Sequence, residues 1–459
     1  MIDRLAIVGA TGDLTARYLL PGLAALYAAG QLGDDFELVC TDRKDWDTDT
    51  YRSWAGAQLD RLGSTWPEHA RKQVVSAARF QQCDITDVAA VKALVGGTAP
   101  LAVYLALPPA VFAPAVSTLE RAVLPSGSRI VLEKPFGEDL DSAVRLNRLL
   151  AEVVPEEAVF RVDHFLAMST VENILGSRLA NRVLEVIWNS ANIAAVDIVW
   201  DERLTLEDRA GYYDGTGALK DMLQNHLLQI LCLVAMEPPV SLGERDLRDR
   251  KMDMLRSIRP FTDADVAQRS RRARYLAGRI GDRTVPAYVD ENGVDPTRRT
   301  ETFAEIELEL DNWRWAGTPF RLRTGKALGR DRMEVAVRFR DVPHMPFGHA
   351  GEILPNVLRF GLVPETLSLD LIGNGPQAFS FAPLRLAAQM PPPDLPPYGR
   401  LLQEVLTGNA ALSIRGDEAE QAWRVVEPVL AAWDEGRVPL EEYPAGSDGP
   451  APRRRPDPD

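Results

Sequence analysis

Arg161-Val162-Asp163-His164-Phe165-Leu166 divides this chain into two patterns. Phe160-Arg161-Val162 reads as a short strand, and Asp163-His164 as the turn that ends it. An acid and one of only five histidines stand side by side there. Upstream, short apolar strands alternate with helices. Downstream, strands follow one another with few helices between them.

Working upstream, Leu5-Ala6-Ile7-Val8 is an apolar run of the kind that forms a buried parallel strand. The turn Gly9-Ala10-Thr11-Gly12-Asp13-Leu14 follows. A helix then fits Tyr18 to Ala29, with Leu19, Leu20, Leu23 and Leu26 at helical spacing. Glu37-Leu38-Val39-Cys40 reads as the second strand and ends at Thr41-Asp42-Arg43. Strand, glycine turn, helix and strand are the order of a dinucleotide-binding βαβ unit. The glycines depart from G-x-G-x-x-G, since two residues separate the first pair. Their position still suits a pyrophosphate held at a helix N-terminus, with Gly9 to Leu14 as contacts. Arg43 stands where a 2′-phosphate is read, which favours NADP; as a solvated surface charge it would read nothing. Asp42 beside it can instead accept a bare ribose 2′-hydroxyl, so NAD is a possible cofactor. A long helical region is expected over about Thr50 to Ala78. Further strands are expected at Phe80-Gln81-Gln82-Cys83-Asp84, at Leu101 to Leu107 and at Arg129 to Glu133. The last ends in Lys134-Pro135-Phe136-Gly137, where Lys134 either faces the ligand crevice or snorkels to solvent. After a helix over Leu140 to Val153, the reading is an α/β Rossmann-like N-terminal domain spanning residues 1–162.

Working downstream, Val171 to Arg182 reads as a helix and Ile193 to Asp201 as a strand. Gly217 to Met236 is a helix apolar almost all round, hence buried. Strands are expected at Phe303 to Leu310, Phe320 to Arg323, Glu334 to Arg340, Asn356 to Gly361 and Ser368 to Ile372. Successive strands imply an α+β C-terminal domain, residues 163–443, with a large, mostly antiparallel sheet. Residues 444–459, rich in Pro, Gly and Arg, are expected to be a disordered tail. His226 falls on the stripe Leu219, Leu223, Ile230, where a satisfied core histidine is the competing reading. Asp221 and Asn225 form a separate polar pair at i, i+4 on the same helix. Asp163 and His226 are expected to meet and to handle a proton together.

Composition narrows the function. The chain of 459 residues is 46% hydrophobic and 26% charged, an ordinary globular balance with ample material for two domains. A net charge of −14 disfavours nucleic acid, because phosphate backbones need a basic face. No apolar run is long enough to cross a bilayer, and no leader pattern opens the chain. Cys40, Cys83 and Cys232 are scattered and odd in number, so neither a disulfide framework nor a metal site is expected. A cytoplasmic protein is the expectation.

Together the segments resemble the glucose-6-phosphate dehydrogenase family, from Ile7 to about Trp433. The matching stretches include Gly-Ala-Thr-Gly-Asp-Leu at 9–14, Tyr-Leu-Ala-Leu-Pro-Pro at 104–109 and Glu-Lys-Pro-Phe-Gly at 133–137. They continue with Arg-Val-Asp-His-Phe-Leu at 161–166, Ile-Trp-Asn-Ser-Ala-Asn-Ile-Ala at 187–194 and Gln-Asn-His-Leu-Leu-Gln at 224–229. Asp-Asn-Trp-Arg-Trp-Ala-Gly at 311–317 and Arg-Thr-Gly-Lys-Ala-Leu at 323–328 complete the set. The resemblance implies oxidation of the C1 hydroxyl of a hexopyranose to a lactone, with NADP reduced. His226 then matches the general base and Asp163 the carboxylate that orients it. Ala106 and Lys134 fall in the cofactor's share of the site. Lys134, Glu202, Asp221 and Lys326 fall in the sugar's, and His164 falls at the phosphate. A homodimer or homotetramer is also implied.

The departures concern the phosphate. The family continues Asp-His-Tyr-Leu-Gly-Lys-Glu, whereas here Phe165 lacks the phenol and Met168 lacks the lysine. Asp331 stands where the family has a basic contact, with Arg330 and Arg332 as replacements if the loop is rearranged. Charge-assisted bonds to phosphate contribute about 1.5–3 kcal/mol each. An unphosphorylated or amino sugar is therefore an alternative substrate, and a non-catalytic regulatory or assembly role is a second alternative.

Overall fold

Strand β1 (Arg4–Val8) lies inside a six-stranded sheet with β2 (Glu37–Asp42), β3 (Ala78–Gln82), β4 (Ala102–Leu105), β5 (Arg129–Glu133) and β6 (Val159–Val162). The order is β3-β2-β1-β4-β5-β6 and every pairing is parallel. This is the doubly wound arrangement in which ligands gather beyond the strands' carboxyl ends. The computed structural model describes residues 1–207, 210–344, 354–377 and 380–451. The chain forms two units. The first holds this sheet and comprises Met1–Ser169, Pro239–Met252 and Pro392–Gln421.

A parallel sheet must be covered on both faces. One covering helix, Leu20–Ala28, starts with Pro21 in its first turn, where a missing N–H costs nothing. Another comes from far down the chain. Helix Pro397–Thr407 puts Leu401, Leu402, Val405 and Leu406 into the same core as Leu5, Ile7 and Leu23. The Ile2 N–H closes on the Leu406 carbonyl at 2.8 Å. The single long helix expected over 50–78 is instead two, Thr48–Leu62 and Glu68–Ala77. Gly63 ends the first, and Pro67 precedes the second in an extended conformation.

The second unit comprises Thr170–Pro238, Asp253–Pro391 and the chain from Ala422 onward. Its strands are β7 (Ile193–Asp201), β8 (Ser270–Leu276), a small hairpin of β9 (Gly278–Ile280) and β10 (Arg283–Val285), β11 (Phe303–Leu308), β12 (Phe320–Gly325) and β13 (Arg332–Phe339). They continue as β14 (Val357–Gly361), β15 (Thr366–Asn374), β16 (Phe381–Gln389) and β17 (Leu440–Pro444). The large sheet runs β16-β15-β14-β13-β7-β12-β11-β8-β17, antiparallel except for β7 with β12 and β8 with β17. Residues 444–451, expected in a disordered tail, are placed. Pro444 ends β17, Ala445 is buried, and the Gly446 N–H donates to the Ala327 carbonyl. Residues 452–459 of that tail lie outside the described residues.

Helix Leu228–Ala235 is buried along its whole length. Its last carbonyls have no intrahelical partner and lie in the interior, so side chains supply the donors. Arg178 donates to Leu233 O and Met236 O, Trp188 Nε1 to Val234 O at 2.8 Å, and Trp315 Nε1 to Ala235 O at 2.7 Å.

In the first unit, Lys251 Nζ stands 2.8 Å from Glu418 Oε2, with the two side chains 1% and 0% exposed. Burial pushes the Glu418 carboxyl above its usual range, and Lys251 draws it back. Removing one partner of such a pair leaves a buried charge alone. Lys251→Met should therefore cost about 3–5 kcal/mol of stability in urea unfolding. Lys251→Met with Glu418→Leu should recover most of that loss. A single substitution no worse than the double one would mean that the charge is not held by this pair.

Candidate active site

The first unit brings its site residues to one edge. Strands β1, β2, β4, β5 and β6 end at Val8, Asp42, Leu105, Glu133 and Val162. Gly9, Arg43, Ala106, Lys134 and Asp163 each come next in sequence. Gly9 has φ +85°, and a Cβ there would overlap the Ala106 carbonyl oxygen. The turn thus admits the Ala106 backbone against Gly9 but leaves no space for a side chain there. The Gly9 and Ala10 N–H groups are spent on Thr41 O, and that of Gly12 on Gly9 O. The helix that opens at Asp13 and Leu14 is left as the part suited to an anion.

Asp42 is already engaged. Its carboxylate accepts the Thr11 hydroxyl at 2.7 Å, the Thr11 N–H at 3.3 Å and the Arg43 N–H at 2.7 Å. It braces the glycine turn against the end of β2. The Arg43 side chain is exposed beside it. Next along the chain, Lys44 lies over the Trp46 ring, 4.4 Å from its centroid.

At the end of β5, the Tyr104 hydroxyl donates to Glu133 Oε1 at 2.5 Å. Burial pushes the Glu133 carboxyl up to about 7, while Tyr104, Lys134 and Tyr398 pull it down. The Lys134–Pro135 bond is cis. Tyr398, on helix Pro397–Thr407, stacks on Tyr18 at 4.9 Å and on the His164 ring at 5.8 Å. Asp163 is buried and accepts the Phe165 N–H at 2.9 Å. Phe165 is 3% exposed and meets His164 edge-on. Met168, half-buried, closes the turn by donating its N–H to Phe165 O.

The second unit holds His226, 1% exposed, on Leu219–Leu227. This segment is a π-helix rather than the α-helix that leucine spacing implies. The Asn225 side-chain amide donates to Lys220 O at 2.8 Å, five residues back. Wide turns of this kind concentrate at functional sites.

Parallel pairing of β7 with β12 sets Asp201 opposite Gly325. Glu202 and Lys326 each follow, so the two side chains emerge together, with Nζ 2.7 Å from Glu202 Oε2. Trp200 Nε1 donates to the other Glu202 oxygen at 3.2 Å. Lys326 also lies 5.3 Å from the centre of the Tyr213 ring. Burial drives the Tyr213 hydroxyl well above its usual range, and the charges of Asp221 and Glu301 add to this. Asp331 does not project freely: its carboxylate accepts the Arg203 N–H at 2.8 Å and braces the segment beyond Glu202. Arg332 faces Asp201 at 3.6 Å and Arg330 faces Asp448 at 3.7 Å, so both candidate replacements are turned to acids.

Sequence reasoning missed Tyr398, the Tyr104–Glu133 bond, Tyr213 and Glu301. The signal for Tyr398 was present: Pro396-Pro397 followed by Leu401, Leu402, Val405 and Leu406 is a helix start with an apolar stripe.

Residues 6–173 match the family model described as glucose-6-phosphate dehydrogenase, NAD binding domain, and residues 175–455 match that family's C-terminal domain. The glucose-6-phosphate 1-dehydrogenase of Mycolicibacterium smegmatis is 40% identical over 97% of this chain and 93% of its own length. That of Zymomonas mobilis subsp. mobilis is 36% identical over 98% and 96%. Among solved structures, glucose-6-phosphate 1-dehydrogenase from Mycobacterium avium superposes with a TM-score of 0.87 at 33% identity, covering 98% of this chain and 95% of that one. A glucose-6-phosphate dehydrogenase in complex with its substrate glucose-6-phosphate gives a TM-score of 0.87 at 28% identity, covering 99% and 95%. This chain therefore belongs to the glucose-6-phosphate dehydrogenase family.

Proposed function

We propose that this chain oxidises the C1 hydroxyl of a hexopyranose 6-phosphate to the lactone, with NADP as the oxidant. Family membership over the whole chain carries this reading. NADP, when bound, supplies the hydride acceptor. Gly9 to Leu14 would hold its pyrophosphate, Arg43 its 2′-phosphate, and Ala106 and Lys134 the walls near its reactive end. His226 takes the proton from the C1 hydroxyl. Asp163 orients that imidazole and steadies its charged form, a division that suits a group titrating near neutral pH. Lys134, Glu202, Asp221 and Lys326 hold the sugar's hydroxyls, and His164 the phosphate. A homodimer or homotetramer in the cytoplasm belongs to the same reading, supported for the assembly by the exposed Leu384 and Leu386 on β16. Among the described residues, no helix is long and apolar enough to cross a membrane.

A second reading, an unphosphorylated or amino sugar, is favoured by one observation. Phe165 is buried without a phenol, and Met168 offers no charge beside it. The side chains at both positions are those that weaken anion binding.

Three measurements test these assignments. His226→Asn should leave NADP and sugar binding largely intact and lower kcat by roughly 10²–10⁴. Near-normal turnover in the folded variant would remove His226 from the mechanism. Arg43→Ala should raise KM for NADP far more than for NAD, because only NADP carries the 2′-phosphate. Equal changes would assign Arg43 to the surface. Finally, two missing charge-assisted contacts at about 1.5 kcal/mol each correspond to roughly a hundredfold in affinity. Phe165→Tyr with Met168→Lys should thus lower KM for glucose 6-phosphate and weaken use of glucose or glucosamine. Asp331 calls for Asp331→Asn instead of arginine, since the amide oxygen keeps the bond to Arg203. A natural chain with micromolar KM for glucose 6-phosphate, unimproved by these changes, would show that other cations hold the phosphate.

A further inference from the structure

The π-helix that carries His226 begins at an unusual joint. Helix Ala210–Ala218 breaks at Gly217, whose φ of +71° and ψ of +169° are not helical. Leu219 then opens the π-helix. At that opening stands Glu301, 8% exposed. Its carboxylate oxygen Oε1 accepts the Leu219 N–H at 3.0 Å, and its main-chain carbonyl accepts the Ala218 N–H at 3.2 Å. The carboxylate packs so closely that a Cβ on Gly217 would lie 2.5 Å from Oε1. Glycine is required there twice over, by the backbone angle and by the acid.

Glu301 is itself fixed. Thr300 on one side donates its hydroxyl to Asp214 O at 2.7 Å. Thr302 on the other side donates its N–H to Ala273 O, accepts the Lys326 N–H at 2.9 Å, and shares a hydroxyl contact with Tyr443. The same three residues therefore anchor the head of the π-helix and the backbone of Lys326 to the sheet. The charged and titratable groups whose fields reach Glu301 are Arg272 from β8, Lys220 from the π-helix, Tyr213 from the preceding helix and Tyr288.

We propose that Glu301 is a positioning residue for His226: the carboxylate, held on the sheet, grips the first N–H of the π-helix and so fixes where the imidazole stands seven residues later. The proposal rests on the reading of His226 as the base. The head of a helix is its positive end, so an ionised acid grips it more firmly than a neutral one. Burial pushes the Glu301 carboxyl up to about 7, against the pull of the Leu219 N–H, Arg272 and Lys220. The grip therefore tightens as the pH rises through about 7 and slackens below it.

The test compares Glu301→Gln, Glu301→Ala, Gly217→Ala and His226→Asn in the full chain. Glutamine keeps the acceptor and loses the charge. The ratio of kcat for the natural protein to that for Glu301→Gln should be near one at pH 6 and rise several-fold by pH 8. Glu301→Ala and Gly217→Ala should lower kcat by roughly tenfold to a hundredfold, the scale of a small misplacement of a reacting group. Affinity for NADPH, read by nucleotide fluorescence, should not change. A ratio flat across that pH range, or folded Glu301→Ala and Gly217→Ala proteins with kcat within twofold of the natural one, would overturn the proposal. If His226→Asn turns over normally, the base assignment falls and this proposal with it. If His226→Asn is inactive while the other variants are unaffected, only Glu301's role falls.

Discussion

A helix without a polar face must find donors for its last carbonyls, and in the second unit that demand organises much else. Helix Leu228–Ala235 is apolar almost all round, Gln229 apart, so it sits in the interior. An unmet carbonyl there would cost about 1–3 kcal/mol. Arg178, Trp188 and Trp315 converge from three segments to meet the need. Those segments are fixed in turn: the Arg314 guanidinium beside Trp315 spans Glu185, Glu237 and the Trp188 carbonyl. The far end of the same helix continues from the π-helix of His226. The π-helix is thus held by the sheet at its head, through Glu301, and by the buried helix at its foot.

The same physics explains what could be read in the sequence. The strands of the first sheet are runs of apolar residues, and their ends are marked by Gly9, Pro108 or Pro135, so order and location were legible. The buried helix was legible because it has no polar stripe. The π-turn that precedes it was not: leucine at every third or fourth position is compatible with either winding. Helix Pro397–Thr407 was passed over because it belongs to a core formed almost 400 residues earlier, although its proline start and leucine stripe were plain. Gly63 and Pro67 broke a helix that apolar spacing alone ran through.

Candidate site residues divide in a similar way. Those at strand ends, such as Asp163 and Lys134, were legible from position, whereas Lys326 came only with the family resemblance. Their electrostatic setting was not. Asp42 reads as a ribose acceptor in sequence, yet its carboxylate takes the Thr11 hydroxyl. Asp331 reads as a charge facing a ligand, yet it accepts a backbone N–H. Short acids bind nearby backbone readily, and no spacing rule reveals which acid does so. Glu133 and Glu301, one in each unit, are both carboxyls pushed up to about 7 by burial. A lysine, Lys134 for the first and Lys220 for the second, is among the groups that draw each carboxyl back down.

The placement of helix Pro397–Thr407 and strand β17 bears on how the chain is made. The first core includes Leu401, Leu402, Val405 and Leu406 alongside Leu5 and Ile7. The second sheet ends with Leu440–Pro444 lying parallel to β8. Neither unit has all its parts until its closing element, Pro397–Thr407 or Leu440–Pro444, has been made. Emerging from the ribosome, the N-terminal sheet exposes an apolar face until that helix follows, the interval in which nascent chains aggregate or engage chaperones. Its closing contacts span almost the whole chain, and such long-range closures are the slow ones.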